Sequence, residues 1–135
     1  MKKFLVLAVA ALMTVALAAP AAGNRPRVIE ASFTFDDIDP CTGDVHTITF
    51  DGTVARHEHD GRVVAHTELV ITTSSGYIGR GGEEEIVNGE KFSIVARHML
   101  TNPNGDKIQA RVTLQVDLKT SEVRRDEVDV RCVRT

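Results

Sequence analysis

Three histidines close together in the sequence are the first candidates for chemistry, because imidazole is a common ligand of Zn²⁺ and Cu²⁺. His57 and His59 precede an Asp60-Gly61 turn, and His66 follows it. In a hairpin these side chains would share one face and could converge on a metal ion. The same face also carries several charged and polar residues, as the solvated side of a hairpin does. The three histidines are therefore weak candidates, and we predict neither a metal nor another cofactor.

Three further residues are candidates for contacting a ligand. His98 shares the sequence parity of apolar neighbours such as Phe92 and should point inward. There it would be a ligand contact, an acid or base, or a core residue with a satisfied hydrogen bond. Arg56 has the parity of the apolar face close to the Asp60-Gly61 turn and could line the mouth of a pocket. With Tyr77, the only tyrosine of the chain, these residues form the predicted ligand-binding set.

The two cysteines of the chain, Cys41 and Cys132, lie near opposite ends of the part that follows an export signal. Neither has a neighbouring cysteine, which favours a disulfide over a metal site or a pair of free thiols. Closing a loop of about ninety residues stabilises the folded state by roughly 4 to 5 kcal/mol in the chain-entropy model. The sequence thus predicts one disulfide and leaves no cysteine free as a nucleophile.

No other segment carries a recognisable catalytic motif, and no Gly-x-Ser-x-Gly elbow is present. We therefore predict no catalytic residue. The stretch from Gly79 to Gly82 is rich in glycine and is followed by Glu83, Glu84 and Glu85. It lacks the alternating Asp and Asn ligands of a calcium loop. The preferred interpretation is a flexible, solvated acidic loop.

The elements that must position these residues are β-strands, because apolar and polar residues alternate with a period of two almost throughout. No helical segment of comparable quality is present. The predicted strands are Ala31 to Asp37, Val45 to His59, Arg62 to Thr73, Tyr77 to Gly79 with a continuation toward Val87, Lys91 to Thr101, Lys107 to Lys119 and Val123 to Val133.

Two turns set the registers of neighbouring strands. Asp60-Gly61 suits a two-residue type I′ hairpin, in which both central residues have positive φ. Pro103-Asn104-Gly105 suits a three-residue loop with Gly105 in the left-handed region, because this loop keeps apolar residues on one face. The expected cross-strand pairs are Val54 with Thr67, Gly52 with Leu69, Phe50 with Ile71, Leu100 with Ile108, His98 with Ala110, Ala96 with Val112 and Ile94 with Leu114.

Short connections predict an all-β antiparallel meander of about seven or eight strands. If the first and last strands pair, and Cys41 is bonded to Cys132, the sheet closes into a small barrel without free edges. The alternative is a two-sheet sandwich with the same disulfide. We favour the barrel.

The first residues of the chain have the pattern of a secretory signal peptide. Lys2 and Lys3 precede an apolar run from Phe4 to Leu17, which is shorter than the roughly twenty residues of a membrane-spanning helix. We assign residues 1–18 to the signal, with cleavage between positions 18 and 22. Residues 19–30 form a flexible mature N-terminus, and 31–135 form a single β domain. The mature protein is expected to be secreted or to lie in the cell envelope, with no membrane span.

Charge argues against one class of partner. Removing Lys2 and Lys3 with the signal leaves 14 of the 16 basic residues against 19 acidic ones, a formal charge of −5. Nucleic-acid binding relies on basic surfaces that neutralise phosphates. We therefore expect no nucleic acid partner.

One segment resembles a known group of proteins. Asp39-Pro40-Cys41-Thr42-Gly43-Asp44, followed by a strand with Gly52-Thr53-Val54, is similar to an Asn-Pro-Cys-Thr-Gly-Glu segment near the mature N-terminus of uncharacterised exported bacterial proteins. Those proteins tend toward an all-β pattern with a late cysteine. Asp39 and Asp44 here replace their Asn and Glu. The resemblance implies export and an all-β fold, and it implies no activity.

Two functions follow from these observations. The first is a binding protein whose small barrel takes up a small hydrophobic ligand through His98, Arg56 and Tyr77. The alternative is an extracellular or envelope module that contacts another protein and has no ligand pocket. An enzyme with His98 as its base is a third hypothesis, and no catalytic motif supports it.

Overall fold

The computed structural model describes residues 27–134, which form seven β-strands and no helix. The predicted signal peptide lies outside the described residues. Within them, no helix is long and apolar enough to cross a bilayer. The strands are β1 (Arg27–Ile38), β2 (Val45–His59), β3 (Arg62–Thr73), β4 (Ile78–Asn88), β5 (Lys91–Thr101), β6 (Lys107–Asp117) and β7 (Glu122–Val133).

The strands form a single antiparallel sheet in sequence order, from β1 to β7. The meander is thus confirmed, and a two-sheet sandwich is not formed. All the expected cross-strand pairs are present in the two hairpins for which we predicted the register. The first strand begins at Arg27, four residues before the predicted start.

Both predicted turns have the expected backbone. Asp60 and Gly61 have φ values of 50° and 74°, as a type I′ hairpin requires. At the other turn, the N–H of Asn102 bonds the carbonyl of Asp106 and the N–H of Gly105 bonds the carbonyl of Asn102. Gly105 has a φ of 86°, so the three-residue loop with a left-handed glycine is confirmed.

The acidic stretch is not the flexible loop that its composition suggested. Glu83, Glu84 and Glu85 lie inside β4, paired with β3 on one side and β5 on the other. Glu83 and Glu85 are buried with relative exposures of 4% and 3%, whereas Glu84 is exposed. The loop prediction was wrong because glycine and glutamate are typical of loops, while the period of two continues through them to Val87.

The sheet is not closed into a barrel, so the prediction of closure was wrong. No ladder joins β1 to β7, and their Cα traces stay more than 8 Å apart along most of their length. With an odd number of strands in a meander, β1 and β7 run in the same direction. Direct closure would therefore need a parallel ladder, whereas every existing ladder is antiparallel. We call the gap between these two edge strands the seam.

The disulfide between Cys41 and Cys132 is confirmed, with a Cα–Cα distance of 5.0 Å. It ties the loop after β1 to the last residues of β7, and it therefore holds the seam together at one end. The Arg134 guanidinium adds a second link by donating to the Cys41 carbonyl. We call this the clasp end of the sheet, and the opposite end, with the Asp60-Gly61 turn, the turn end.

A tight turn presents Cys41 to β7. The buried Asp39 carboxylate accepts a hydrogen bond of 2.8 Å from the Cys41 N–H, and the Asp39 carbonyl accepts one of 2.8 Å from the Gly43 N–H. Gly43 has a φ of 83°, in the left-handed region that favours glycine. The segment from Asp39 to Asp44 thus forms the structural support of the disulfide.

One face of the sheet, which we call the inner face, holds the core. Its largest apolar cluster lies at the clasp end beneath the disulfide, and a smaller cluster lies at the turn end. The larger cluster consists of Cys41, Ile48, Phe50, Leu69, Ile71, Tyr77, Leu100 and Ile108. The smaller one consists of Phe92, Ile94 and Leu114. Polar side chains lie between them.

Candidate functional site

Five buried polar side chains lie together in the middle of the inner face. They come from four consecutive strands, β2 to β5, and each is buried on a face whose other buried residues are mostly apolar. Their strands' registers bring them into adjacent rows, because Thr67 is opposite Glu83 and Gly81 is opposite His98. We call this set the polar cluster. Its members are Arg56, Thr67, Glu83, Glu85 and His98.

The closest contact in the polar cluster joins His98 and Glu83. His98 Nε2 lies 3.4 Å from Glu83 Oε1, and the two side chains are 4% and 0% exposed. The distance suits an ion pair when the imidazole is protonated, but the two atoms do not form a hydrogen bond. The Phe50 ring packs edge-on against the imidazole at 5.2 Å between ring centroids. His98 is thus held between an aromatic ring and a buried carboxyl group.

Gly81 makes room for this arrangement. A Cβ atom built on Gly81 would lie 2.2 Å from Cδ2 of His98, far inside van der Waals contact. The imidazole therefore occupies the space that any other residue at position 81 would fill. Only glycine at this position allows His98 to lean across β4 toward Glu83.

The two buried glutamates lack hydrogen-bond partners among the described residues. Neither oxygen of Glu83 and neither oxygen of Glu85 has one, and Thr67 Oγ1 also lacks one. Burial, with a smaller contribution from the nearby Glu83 carboxylate, raises the pKa of Glu85 to about 8. Glu85 is therefore mostly protonated at neutral pH. An uncompensated polar group in a core is unfavourable and calls for an explanation.

A comparison with His46 separates the two inward histidines. His46 is 4% exposed, and its Nδ1 is 2.6 Å from the Ser75 hydroxyl. His46 is thus a core histidine with a satisfied hydrogen bond. His98 faces a carboxyl group at a longer distance without such a bond. A ligand could therefore bond to Nε2 of His98, which has no hydrogen-bond partner among the described residues.

The predicted ligand-binding residues do not form one site. His98 and Arg56 both belong to the polar cluster, and Arg56 Nη2 lies 3.5 Å from Glu58 Oε2. Tyr77 is buried at the clasp end, in the large apolar cluster. Burial raises its pKa, and the Asp39 carboxylate, which also accepts a hydrogen bond from the phenol, raises it further. Tyr77 therefore belongs to the support of the clasp.

The three histidines of the β2–β3 hairpin lie on the exposed outer face. His59 Nε2 is 3.1 Å from Asp60 Oδ2, and His66 Nδ1 is 3.5 Å from Glu84 Oε2. His57 is exposed beside them. Within residues 27–134, no group of three or more His, Cys, Asp or Glu side chains is placed to hold a metal ion.

A small cavity lies where the inner face meets the seam. Its volume is about 30 Å³, and its walls include Asp37 of β1, His98 of β5 and Val130 of β7. This volume is enough for a water molecule. Pockets for drug-sized ligands are roughly ten times larger, about 300 to 1,000 Å³. In this conformation the interior is filled by side chains.

The seam leaves the edges of β1 and β7 partly exposed to solvent. The inner residues of β1 are half-buried, and those of β7 include the exposed Val130 (37%) and Val123 (54%). The inner residues of β2 to β6 are mostly buried. Both edges also present backbone groups that no neighbouring strand bonds. The half-buried residues of β1 are Ile29, Ala31, Phe33 and Phe35.

Sequence reasoning missed Glu83 and Glu85 as members of the site. The signal that could have identified them is parity, because both share the alternation of Gly81 and Val87 along β4. A scan against protein-family models finds no match to this chain, and searches of curated proteins and of solved structures find no significant match either.

Proposed function

We propose that the protein is an exported interaction module that binds an extended segment of a partner polypeptide along the seam between β1 and β7. The segment would add an eighth strand to the sheet, antiparallel to both edges. The observation that carries the proposal is the open seam itself, with two long edge strands that run in the same direction. This is the interaction module that the sequence left as the alternative.

The direction of the edges supports this occupant. In a seven-stranded meander, one added strand is antiparallel to β1 and to β7 at once, and it can hydrogen-bond both. Adjacent strands lie about 4.8 Å apart, so a strand inserted in the seam needs roughly 10 Å between its two neighbours. The separation of more than 8 Å along most of β1 and β7 is compatible with this spacing.

The side chains beside the seam define what the segment must look like. Half-buried Phe33 and Phe35 on β1 face the interior from one side, and Val130 and Val123 on β7 do so from the other. An incoming strand would therefore need apolar residues at every second position. Its other residues would face water. Backbone bonds would provide affinity, and the alternating apolar side chains would provide selectivity, as in other cases of strand addition.

Export is part of the proposal. Residues 1–18 have a signal-like pattern, and a disulfide joins two cysteines that are 91 positions apart in the sequence. Both features suit an oxidising compartment outside the cytoplasm. A partner segment would then be met in the cell envelope or outside the cell. Mass mapping of protein recovered from its own host, with the new N-terminus located, tests this part separately.

The test uses a peptide of defined sequence. A synthetic peptide with the β6 sequence KIQARVTLQVD alternates apolar and polar residues as the seam requires. A control peptide has proline in place of its central valine, which removes one backbone donor and disfavours a strand. Binding is followed by fluorescence anisotropy, and the location by hydrogen exchange of β1 and β7. We expect binding of the first peptide with slowed exchange in both edge strands.

A matched pair of variants locates the site. Val130→Glu places a charge on the inner side of the β7 edge, whereas Val95→Glu places one on the outer face of β5, which is paired on both sides. The two valines are similarly exposed, at 37% and 41%. We expect V130E to weaken peptide binding by about tenfold or more and V95E to leave it unchanged. Equal binding by both variants, or no binding up to about 1 mM peptide, would overturn the proposal.

A small amphipathic ligand of the interior is the second candidate. The buried atoms of Glu83, Glu85 and His98 without hydrogen-bond partners favour it, because a donor group on a ligand would satisfy them. The small cavity beside His98 would have to widen, and the seam allows this without breaking a ladder. Native mass spectrometry of protein from its own host tests this candidate. A bound small molecule that is lost in His98→Ala at unchanged Tm would support it, and a clean apo mass would count against it.

A further inference from the structure

The outer face of the sheet carries a patch of arginines that the proposed function does not use. Four arginines from four consecutive strands line a groove of about 260 Å³ across β4 to β7. All four are exposed. Three strand spacings cover roughly 14 Å, so the patch is the size of a small ligand. We call it the arginine groove, and its arginines are Arg80, Arg97, Arg111 and Arg131.

The centre of the arginine groove places like charges opposite each other. Arg97 of β5 and Arg111 of β6 are direct cross-strand partners. Cβ atoms of such partners lie about 4.5 to 5.5 Å apart, and like charges in this position destabilise a sheet. Arg80 and Arg131 flank this pair diagonally, because they are in register with Met99 and Gln109 of the next row.

Neighbouring residues neutralise only part of this charge. Within residues 27–134, the side chains of Arg80, Arg97 and Arg111 form no ion pair or hydrogen bond. The one carboxylate in the wall is that of Asp129, which is the direct cross-strand partner of Arg111 but forms no salt bridge with it. On its other side Arg97 faces Gly82, which has no side chain. Other exposed arginines of this sheet do have carboxylate partners. Arg124 is 3.2 Å from Asp117.

This concentration of arginines is unusual because the chain as a whole is acidic. Its formal net charge is −3, with 19 acidic residues against 16 basic ones. A groove with four arginines against one carboxylate is thus locally positive on an acidic protein. Guanidinium groups bind the oxygens of phosphate in a bidentate manner, and they are the preferred side chains for this purpose.

We infer that the arginine groove is a binding site for a phosphate group, with Arg97 and Arg111 as its central contacts and Arg80 and Arg131 at its sides. A dianionic phosphate between Arg97 and Arg111 would convert their repulsion into two charge-assisted interactions. Arg131 is already oriented, because its Nε and Nη2 donate to Gln109 Oε1 at 3.2 and 3.0 Å. The phosphate would be either free or carried by a lipid headgroup.

The site is separate from the seam. It lies on the outer face, whereas the seam is defined by the inner residues and free edges of β1 and β7. The V130E variant should therefore bind phosphate normally, and variants of the arginine groove should bind the β6 peptide normally. Failure of one proposal would leave the other standing.

The experiment compares two double variants of equal charge change. Arg97→Gln/Arg111→Gln removes the centre of the groove, and Arg124→Gln/Arg125→Gln removes two arginines that are paired with Asp117 and Glu127. Inorganic pyrophosphate is titrated calorimetrically at constant ionic strength, and vesicles of phosphatidylcholine with phosphatidic acid are tested by co-sedimentation. We expect the first variant to lose about tenfold or more in affinity and the second to bind as the wild type does.

Thermal unfolding provides a second readout, because a ligand that binds only the folded state raises Tm. Pyrophosphate should raise the Tm of the wild type but not that of R97Q/R111Q. Without ligand, R97Q/R111Q should melt close to the wild type, because it removes both the Arg97–Arg111 repulsion and the attraction between Arg111 and its cross-strand partner Asp129. Binding of pyrophosphate identifies a free phosphate, and binding of vesicles alone identifies a lipid-borne one. No binding of either probe, or equal binding by both double variants, would overturn the inference.

Discussion

The clasp end and the turn end differ in whether their buried carboxyl groups have hydrogen-bond partners. At the clasp end, Asp39 is 1% exposed and its carboxylate accepts a hydrogen bond from the Cys41 N–H. Toward the turn end, Glu83 and Glu85 are as deeply buried, and their oxygens have no hydrogen-bond partner among the described residues. Burial is the same in the two regions, but only one of them compensates its polar groups.

The seam shows the same contrast along its length. It is held at the clasp end by the disulfide and by Arg134, and the largest apolar cluster lies beneath these links. Toward the turn end, no ladder or disulfide joins the two edges, and Val123 is 54% exposed. The clasp end thus stabilises the sheet. The rest of the seam leaves the edges free, and that freedom is what strand addition requires.

The largest expected effect comes from the disulfide. Replacing both cysteines, in Cys41→Ala/Cys132→Ala, should lower the free energy of unfolding by about 3 to 5 kcal/mol, because the sequence separation of 91 residues is large. Urea denaturation of wild type and variant measures the difference. Reduction of the wild type should reproduce it. A loss below about 1 kcal/mol would show that the clasp end does not depend on its disulfide.

The next effect is a pH dependence that arises from Glu85. Its pKa of about 8 in the folded protein lies above the ordinary value of 4.5, so the folded state binds the proton more tightly. Stability from this group is present at low pH and is lost as pH rises from about 4.5 through about 8. The loss is on the order of a few kcal/mol.

Two glutamine variants test this assignment. Glu85→Gln should flatten the fall in stability between pH 5 and pH 8, because it removes the titrating group. Glu84→Gln, on the exposed side of the same strand, should keep the profile of the wild type. Urea denaturation at several pH values provides the measurement. An unchanged slope in E85Q would contradict the role of this carboxyl group.

Adjacent glycines of β4 provide a smaller and sharper comparison. Gly81→Ala brings a Cβ to 2.2 Å from the His98 ring, whereas the nearest atom to a Cβ at Gly82 is 3.8 Å away. We expect G81A to destabilise the protein by about 1 to 3 kcal/mol and to displace His98 from Glu83. G82A should be nearly neutral. Thermal denaturation and the NMR chemical shifts of the His98 ring measure both effects, and equal behaviour of the two variants would contradict the packing described.

The smallest effect concerns the turn that presents Cys41. Gly43 has a φ of 83° with open space around it, so a side chain there is strained by its backbone alone. Gly43→Ala should cost about 1 kcal/mol, and Gly43→Asn should cost less, because asparagine adopts the left-handed region more readily. Urea denaturation resolves the order of the two variants. The reverse order would show that the turn is relaxed by other means.

Much of this fold could be predicted from the sequence, because local features determine it. The Asp60-Gly61 and Pro103-Asn104-Gly105 turns set the registers of their hairpins, and two isolated cysteines after a signal-like N-terminal pattern indicate a disulfide. Closure could not be predicted in the same way. It depends on the number of strands and on the relative direction of the two edges, which alternation within single strands does not reveal.

Only some members of the polar cluster could be predicted from the sequence. Parity placed Arg56 and His98 inward, and both are buried. Glu83 and Glu85 were hidden, because a Gly-rich acidic stretch has the composition of a loop and charged residues are almost never buried without a partner. The arginine groove was missed for another reason. Its residues are far apart in sequence, and only the registers of β4 to β7 bring them together.

The most direct test of the open seam is residue-resolved amide hydrogen exchange of the free protein by NMR. An edge strand bonds only every second N–H to its single neighbour. We therefore predict alternating slow and fast amides along β1 and β7, beside uniformly slow amides in β3 to β5. Uniform protection along both β1 and β7 would mean that the seam is already paired, and it would contradict the proposal that a partner strand binds there.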